Sequence, residues 1–373
     1  MLIGIDASRT TRVVRTGTEG YALHLIRALL RLDGSHRYRL YFNQPPPPGL
    51  FPEGAYEARL IPFPRLWTHV RLAIEVTRHP VDVLFVPAHV LPLVSAGRSV
   101  VTVHDLGYLA FPQAHRPLDR FYLDLSTRWN VTRATRVLAD SEATRRDLIT
   151  HYRAPAEKIE VAYPGWDEAL WRPVPQAQIA AVKARYGIAS DYILYLGTLQ
   201  PRKNLVRLVR AFARLLGSGL AQAENRLQLV LAGQAGWLAQ EVFEAVRRLG
   251  LGSAVVFTGY VADEEAVALM SGAQAFVFPS LYEGFGFPVL EAMACGVPVV
   301  CSNASSLPEV AGEAALLVDP MDVDALAQAI QRILTDAALR ERLVAHGYRQ
   351  VTCFSWERCA RQVKDVLEAV GRP

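Results

Sequence analysis

Short apolar runs and amphipathic stretches alternate along almost the whole chain. Runs that are apolar throughout and rich in β-branched residues are typical of strands buried on both faces, and helical connections between them indicate a parallel sheet. The predicted strands are Leu2–Asp6, Tyr38–Phe42, Val81–Val86, Val100–His104, Val137–Ala139, Tyr192–Leu196, Leu227–Leu231, Val255–Thr258, Ala275–Phe278, Val297–Cys301 and Ala315–Val318.

Helical periodicity fills several of the intervals between these runs, which favours an α/β fold. The predicted helices are Tyr21–Leu32, Thr144–Tyr152, Leu205–Leu216, Ala239–Leu249, Val323–Leu334 and a final stretch, Trp356–Val370. A break rich in turn residues covers residues 163–175, and the pattern restarts after it. We therefore predict two doubly wound domains, residues 1–170 and 176–350, within the 373 residues of the chain.

The most informative stretch runs from Pro279 to Pro298, where a predicted strand leads through a glycine-rich loop into a helix. The loop's glycines and Pro288 place Glu283 on the loop and Glu291 roughly one turn into the helix. Ligands of open α/β sheets bind beyond the carboxyl ends of the strands. Glycines let the backbone come close to such a ligand, and the two carboxylates can accept hydrogen bonds from sugar hydroxyls.

Arg202 and Lys203 follow the predicted strand Tyr192–Leu196 and precede a helix. Two cations at a strand end can neutralise a diphosphate and stabilise it as a leaving group. In the N-terminal half, Thr16–Gly20 forms a glycine-containing connection into a helix, and His104 with Asp105 ends a buried strand. A polar pair at that position is predicted to face a ligand rather than the core.

Charge and composition limit the kinds of molecule that the protein is expected to bind. The chain has 40 Lys and Arg against 36 Asp and Glu, and the excess lies before residue 170. Without a concentrated basic face, no nucleic-acid partner is predicted. The excess suits an ordinary solvated surface as well as it suits anionic lipid or a phosphorylated acceptor. Arg9, Arg12 and Arg15 lie on the loop after the first strand, where they could meet a charged acceptor.

Membrane spans and metal sites are not predicted. No apolar run approaches the roughly 20 residues of a span, and charged residues come too early for a signal peptide, so we expect a cytoplasmic protein. Leu66–Arg78 leaves two alternatives open: a helix packed on its own sheet, the more common case, or an amphipathic helix against anionic lipid at the inner face of the membrane. The four cysteines form no ligand array and are expected to be buried, and Asp322 is interpreted as a helix cap.

The spacing of Glu283 and Glu291 resembles the Glu-x7-Glu signature of retaining glycosyltransferases of family 4, which have the GT-B fold of two Rossmann-like domains facing a central cleft. The resemblance covers nearly the whole chain. It extends to Tyr195–Leu205, Phe257–Val261, Ser302–Gly312, Leu317–Pro320 and Phe354–Trp356. It implies that the first domain binds the acceptor and the second domain the nucleotide sugar, and that residues 357–373 return to pack on the first domain. The loop around Glu283 and the His104 strand end look most like GDP-mannose-dependent mannosyltransferases, while UDP-linked hexoses stay open as donors.

The resemblance also implies residue roles. The implied catalytic residues are His104, Glu283, Arg202 and Lys203. The implied donor-binding residues are Gly17, Arg202, Lys203, Tyr260, Val261, Glu283, Gly284, Phe285, Gly286, Phe287 and Glu291. Arg202 and Lys203 would hold the phosphates and Glu291 the ribose, Glu283 and the backbone of 284–287 would hold the hexose, and His104 would contact the sugar with its ring oriented by Asp105.

The expected reaction moves a hexose, with mannose favoured, from a nucleotide-diphosphate sugar to a glycan or lipid-linked acceptor. The resemblance implies retention by a front-face route without a metal or other cofactor, and double displacement by a carboxylate is the alternative. Two other functions are left open. A sugar-nucleotide epimerase of the same fold needs acids and bases around the second carbon of the sugar. A non-catalytic partner of another glycosyltransferase would carry a degraded site.

Overall fold

Thirteen strands in two separate sheets organise the residues that the computed structural model describes, which are 1–12, 17–32, 34–63, 66–88, 90–94, 97–114, 116–217 and 227–372. The first sheet contains β1 (Leu2–Asp6), β2 (Arg37–Phe42), β3 (Glu57–Leu60), β4 (Val83–Val86), β5 (Arg98–Val103), β6 (Arg136–Ala139) and β7 (Ile159–Val161). The second contains β8 (Tyr192–Leu196), β9 (Gln228–Ala232), β10 (Val255–Gly259), β11 (Ala275–Phe278), β12 (Val299–Ser302) and β13 (Ala315–Val318).

All strand pairs in both sheets are parallel, as the apolar runs predict. The order is β3-β2-β1-β4-β5-β6-β7 in the first sheet and β10-β9-β8-β11-β12-β13 in the second. Each order runs outward in one direction and then crosses back, so the direction reverses between β1 and β4 and again between β8 and β11. Such switch points leave a crevice at the carboxyl ends of the strands, where ligands of doubly wound folds bind.

Fourteen α-helices lie between the strands or after β13 in the described part of the chain. They are α1 (Gly17–Leu32), α2 (Ala73–Arg78), α3 (Gly107–Ala110), α4 (Pro117–Arg133), α5 (Glu142–Tyr152), α6 (Gln176–Arg185), α7 (Leu205–Leu215), α8 (Gln240–Arg248), α9 (Asp263–Ser271), α10 (Phe287–Ala294), α11 (Leu307–Ala311), α12 (Val323–Thr335), α13 (Ala337–Val351) and α14 (Trp356–Gly371). A π-helical segment, Thr68–Leu72, leads directly into α2.

Polar side chains cap the first turns of α5 and α12. The Ser141 hydroxyl accepts a hydrogen bond from the Thr144 N–H at the start of α5. The Asp322 carboxylate accepts from the backbone of Asp324 and Ala325 at the start of α12, as expected of a cap. Of the cysteines, Cys353 is exposed and the other three are buried, so the expectation of burial was wrong for this one.

The chain divides into two compact units. The first contains residues 1–109, 115–165 and 354–373, and the second contains 110–114 and 166–353. Apart from the short segment 110–114, the polypeptide passes between the units near residues 165 and 353. Helix α14 contributes Cys359, Val363 and Leu367 to the core of the first unit, beside the side chains of β1 and α1.

The first sheet has a core on each face because successive strand residues point to opposite sides. Ile3, Val83 and Phe85 belong to the core that α1 and α14 cover. Leu84 and Val86 belong to the core on the opposite face, with Leu72 and Val76 of the segment that leads through α2.

Candidate functional site

Three charged side chains meet at the β8/β11 switch point of the second unit. Arg202 and Lys203 lie on the connection after β8, and Glu283 lies on the loop after β11. One Glu283 carboxylate oxygen is 2.9 Å from Arg202 Nη1, and the other is 2.5 Å from Lys203 Nζ. Arg202 Nη1 also donates to the Tyr282 carbonyl at 3.0 Å. The structure thus brings together residues that are about 80 positions apart in the sequence.

Neighbouring polar residues hold the two loops in this position. Asn204, with a left-handed φ of 62°, donates from Nδ2 to the carbonyls of Pro279 and Pro320. The Ser306 hydroxyl donates to the carbonyls of Glu283 and Phe285 at 3.0 and 2.6 Å, and the Ser305 hydroxyl accepts from the Glu283 N–H. The supporting roles of Asn204, Ser305 and Ser306 were not predicted. Small polar residues beside strand ends are a pattern from which such loop-fixing hydrogen bonds can be predicted.

Electrostatics favour an ionised, net positive cluster. Burial raises the pKa of Glu283, but the charges of Lys203 and Arg202 outweigh it and leave the pKa below its ordinary value. Lys203 is only 8% exposed, and its ammonium lies 4.7 Å from the centre of the Phe278 ring. Two cations and one carboxylate carry a net charge of +1, so the cluster can attract an anionic ligand.

Glu291 lies on α10, in the second turn of the helix that begins after the Glu283 loop. Burial, with the charges of Asp263 and Asp167, raises the pKa of Glu291 to about 8. A carboxyl group with this pKa is largely protonated at neutral pH and can donate as well as accept a hydrogen bond.

The backbone of the loop requires glycine before α10. Gly286 has a φ of +118°, and a Cβ at this position would lie 2.6 Å from Leu307 Cδ2. Phe285 is buried, whereas Phe287 begins the helix with Pro288 at its first turn. At the end of β10, Tyr260 is 58% exposed and Val261 is buried. Gly284 to Phe287 and Tyr260 thus follow strands of the same sheet as Arg202, at the carboxyl ends.

The remaining predicted site residues belong to the first unit. Gly17 begins α1 and is exposed, while its neighbours Arg15 and Thr16 lie outside the described residues. His104 follows β5, with Nδ1 2.6 Å from Asp140 Oδ2 and Nε2 2.9 Å from the Pro87 carbonyl oxygen. The expectation that Asp105 orients this ring was wrong, since the Asp105 carboxylate instead accepts from the Gly107 N–H. Asp140 takes that role because β6 lies beside β5.

Both ring nitrogens of His104 face acceptors, which favours the doubly protonated ring. Burial alone would lower the pKa of His104, but the charge and hydrogen bond of Asp140 and the Pro87 carbonyl raise it above its ordinary value. The Tyr21 ring packs edge-on against the imidazole, with 4.8 Å between centroids. The geometry and the direction of this pKa shift both favour the imidazolium form of His104.

Comparison with known proteins agrees with this geometry. A family model described as Glycosyltransferase Family 4 matches residues 15–170, and one described as Glycosyl transferases group 1 matches residues 182–350. The O-antigen chain mannosyltransferase B of Escherichia coli is 39% identical over 267 residues, which cover 71% of this chain and 68% of that protein.

The protein is a family 4 glycosyltransferase. The serotype-specific mannosyltransferase WbdA of E. coli is 31% identical over 276 residues. The matched region covers 70% of this chain but only 32% of WbdA. The solved structure of Anabaena Alr3699/HepE in complex with UDP-glucose matches with a TM-score of 0.73 and 21% identity, over 99% of this chain and all of that one. The glycosyltransferase has the GT-B fold, as the sequence predicts.

Within the described residues of this glycosyltransferase, no helix is long and apolar enough to cross a membrane. In the same residues, no group of three or more His, Cys, Asp or Glu side chains is placed to hold a metal ion.

Proposed function

We propose that this glycosyltransferase transfers mannose from GDP-mannose to a glycan or lipid-linked acceptor, with retention of the anomeric configuration and without a metal ion. The observation that carries the proposal is the cluster of Arg202, Lys203 and Glu283 at the β8/β11 switch point. It combines a net positive charge with the crevice where doubly wound folds bind nucleotides.

The basic pair is proposed to take the donor diphosphate. Arg202 can bind phosphate oxygens through several N–H donors, and Lys203 supplies a compact charge held on the ring of Phe278. As the glycosidic bond breaks, negative charge develops on the leaving phosphate, and preorganised cations stabilise it without reorganising. This is the task that a divalent metal performs in other enzymes, so the pair makes a metal step unnecessary.

The acidic residues are proposed to bind hydroxyl groups of the donor. Glu283 is fixed by Ser305, Ser306 and the basic pair, so its carboxylate is oriented before a sugar arrives. Glu291 is assigned to the ribose, where a carboxyl with a raised pKa can both donate and accept. The backbone of Gly284–Phe287 is assigned to the hexose, and Tyr260 with Val261 to the base. These roles rest on the family resemblance together with the shared edge of the sheet.

His104 and Gly17 of the first unit are proposed to contribute to the donor as well. Because both nitrogens of His104 are already bound to Asp140 and Pro87, we assign it a positive charge near the sugar rather than a role as general base. A base in the protein is not required by the front-face route, in which the leaving phosphate helps to deprotonate the acceptor.

Mannose is favoured by two relatives whose names describe mannosyltransferases, one of them 39% identical. A nucleotide sugar as donor is supported by the UDP-glucose complex of the Anabaena protein, which shares the fold. We choose GDP as the nucleotide because the Glu283 loop and the His104 strand end look most like GDP-mannose-dependent enzymes.

Contact with a membrane surface is proposed from exposed apolar side chains on two helices of the first unit. Leu118, Phe121 and Leu125 are 83%, 67% and 55% exposed on one face of α4, and Leu66, Val70 and Ile74 are exposed on the segment that runs from Leu66 through the π-helical segment into α2. The two helices meet where His69 contacts Tyr122. We call these six apolar residues the helix-pair patch. On α4 and at its N-cap, Arg116, Arg120, Arg128 and Arg133 outnumber Asp119 and Asp124, so anionic lipid is the partner that fits this charge.

The activity is tested by incubating the protein with GDP-mannose, UDP-glucose or ADP-glucose and mannose-terminated oligosaccharides, with and without excess EDTA. We expect transfer from GDP-mannose only, unaffected by EDTA, to give the α-anomer. A β-linked product, or loss of activity that manganese restores, would overturn the corresponding part of the proposal. Release of an epimerised nucleotide sugar would favour the epimerase alternative.

A further inference from the structure

A cavity lies wholly within the first unit, at the carboxyl ends of β1 to β3. Its volume is about 350 Å³, which falls in the range of ligand pockets, about 300–1,000 Å³. The connection after β1 supplies Arg9 and Arg12, the end of β2 supplies Asn43, and the π-helical segment Thr68–Leu72 supplies His69. Phe63 and Tyr122 close its sides with aromatic rings.

The charge in this cavity favours an anion. Arg9 and Arg12 both approach the carboxylate of buried Glu19, at 3.7 and 3.6 Å. Both guanidinium groups line the cavity, whereas the Glu19 carboxylate is buried and does not line it. Burial and the neighbouring charge of Arg12 lower the pKa of Arg9, because both disfavour its charged form. An additional anion in the cavity would stabilise that charged form. The charge of Asp6 also acts on Arg9, but Asp6 is only 3% exposed and does not line the cavity.

Two buried polar atoms in the cavity lining lack a hydrogen-bond partner among the described residues. They are Asn43 Oδ1 and His69 Nδ1, both on residues that line the cavity. The other ring nitrogen of His69 is 3.2 Å from the Tyr122 hydroxyl, and burial lowers the pKa of His69, which favours the neutral ring. Buried polar groups are normally satisfied, so these atoms indicate a ligand that offers hydroxyl hydrogen bonds as well as negative charge.

The aromatic side chains of the cavity are a third feature, beside the arginines and the unpartnered polar atoms, that indicates a sugar ligand. Phe63 is 40% exposed and Tyr122 42% exposed, although both are large apolar rings. Rings beside converging polar groups are the usual composition of a site that binds the apolar face of a sugar and fixes its hydroxyls. A cation pair, unpartnered polar atoms and open rings are thus combined in one cavity.

We propose that this cavity binds the acceptor through an anionic sugar, one that carries a phosphate or carboxylate group. Arg12 and Arg9 take the anionic group, Asn43 and His69 take hydroxyls, and Phe63 with Tyr122 contact the ring. The assignment as an acceptor site rests on the proposed glycosyl transfer, whereas anion binding in the cavity does not depend on it.

Two single substitutions test the site. Arg12→Gln removes one cation while Arg9 still neutralises Glu19, and Asn43→Asp adds a negative charge with almost no change of shape. Arg146→Gln, an exposed position on α5, is the matched control. Binding of methyl mannoside, mannose 6-phosphate, methyl glucuronide and inorganic phosphate is measured by calorimetry on the full chain.

We expect the two charged sugars to bind at least tenfold more tightly than methyl mannoside. Arg12→Gln and Asn43→Asp should each weaken their binding about tenfold or more, and Arg146→Gln should not change it. Preference between the phosphate and carboxylate sugars identifies the anionic group. Equal affinities for charged and neutral sugars, or for wild type and both variants, would overturn the proposal, as would binding of inorganic phosphate alone.

GDP-mannose affinity, measured on the same variants, separates this proposal from the proposed function. Arg12 and Asn43 are not among the residues assigned to the donor, so Arg12→Gln and Asn43→Asp should leave donor affinity unchanged. If the wild-type protein does not bind GDP-mannose, the proposed function is contradicted, whereas the proposed anion site is not affected. Normal donor binding without any preference for charged sugars would contradict the site alone.

Discussion

At the residue scale, the charge balance around Glu283 links stability to function. The side chain is 7% exposed and shared between Lys203 and Arg202. Removing one member of a buried ionic cluster leaves the others without compensation, which typically costs about 3–5 kcal/mol of stability. The two roles of Glu283 can therefore be separated only by a variant that keeps its shape.

Glu283→Gln preserves the shape and removes the charge. We expect turnover to fall at least about a hundredfold, because we assign the oriented carboxylate to sugar hydroxyls in the transition state, with a smaller loss of stability than in Glu283→Ala. Steady-state kinetics and thermal unfolding measure the two effects. Exposed Glu313→Gln is the control, and near-normal turnover of Glu283→Gln would refute the assigned role.

Glu291 gives a pH dependence with a defined sign. Its pKa is about 8 in the folded protein against an ordinary value of 4.5, so the folded state holds the proton more strongly than the unfolded chain. Stability therefore declines as pH rises from about 5 to 8. Glu291→Gln should remove this contribution, and its melting temperature should rise relative to wild type at pH 8 but not at pH 5. The same shift in exposed Glu264→Gln, or no difference at either pH, would contradict the assignment.

Sequence spacing could predict Glu283 and Glu291 because both lie on one loop–helix connection. It could not pair His104 with Asp140, 36 residues away, because that contact depends on the adjacency of β5 and β6. Asp105, next to His104 in sequence, points instead to the backbone of its own turn.

At the element scale, the helices and strands with clear periodicity were predictable to within a few residues. Four strands, including β1 and β11, have the predicted bounds. The short strands β3 and β7 were not predicted, because their half-exposed residues lack a continuous apolar run. Helix α4 was missed as well, since it exposes Leu118, Phe121 and Leu125 and so has no clear apolar–polar division between its faces.

Helix α14 should be required for the stability of the first unit, since Leu367 is fully buried in the core beside β1 and α1. We expect Leu367→Ala to cost about 2–5 kcal/mol, measured by urea unfolding, because it leaves a cavity in a close-packed core. Arg361→Ala on the exposed face of the same helix should change stability by less than about 0.5 kcal/mol. Equal effects of the two substitutions would show that α14 does not belong to this core.

At the scale of the whole molecule, the helix-pair patch and the net charge of +4 predict weak binding to anionic membranes. The protein should co-sediment with phosphatidylglycerol vesicles at low salt and be released at high salt, because the attraction is screened. Phe121→Glu should abolish binding, and Leu249→Glu, at an exposed position of the second unit, should not. Equal binding to neutral vesicles, or no binding at low salt, would contradict the prediction.

Calorimetric titration of GDP-mannose tests the central claim, a metal-independent donor site built on Arg202, Lys203 and Glu283. We predict that wild type binds GDP-mannose equally well with and without EDTA. Arg202→Gln should weaken binding about 10- to 100-fold, because a charge-assisted hydrogen bond contributes about 1.5–3 kcal/mol. Arg214→Gln, on the exposed side of α7 in the same unit, should bind like wild type. Unchanged affinity in a folded Arg202→Gln variant, or binding that requires a divalent metal, would contradict the account.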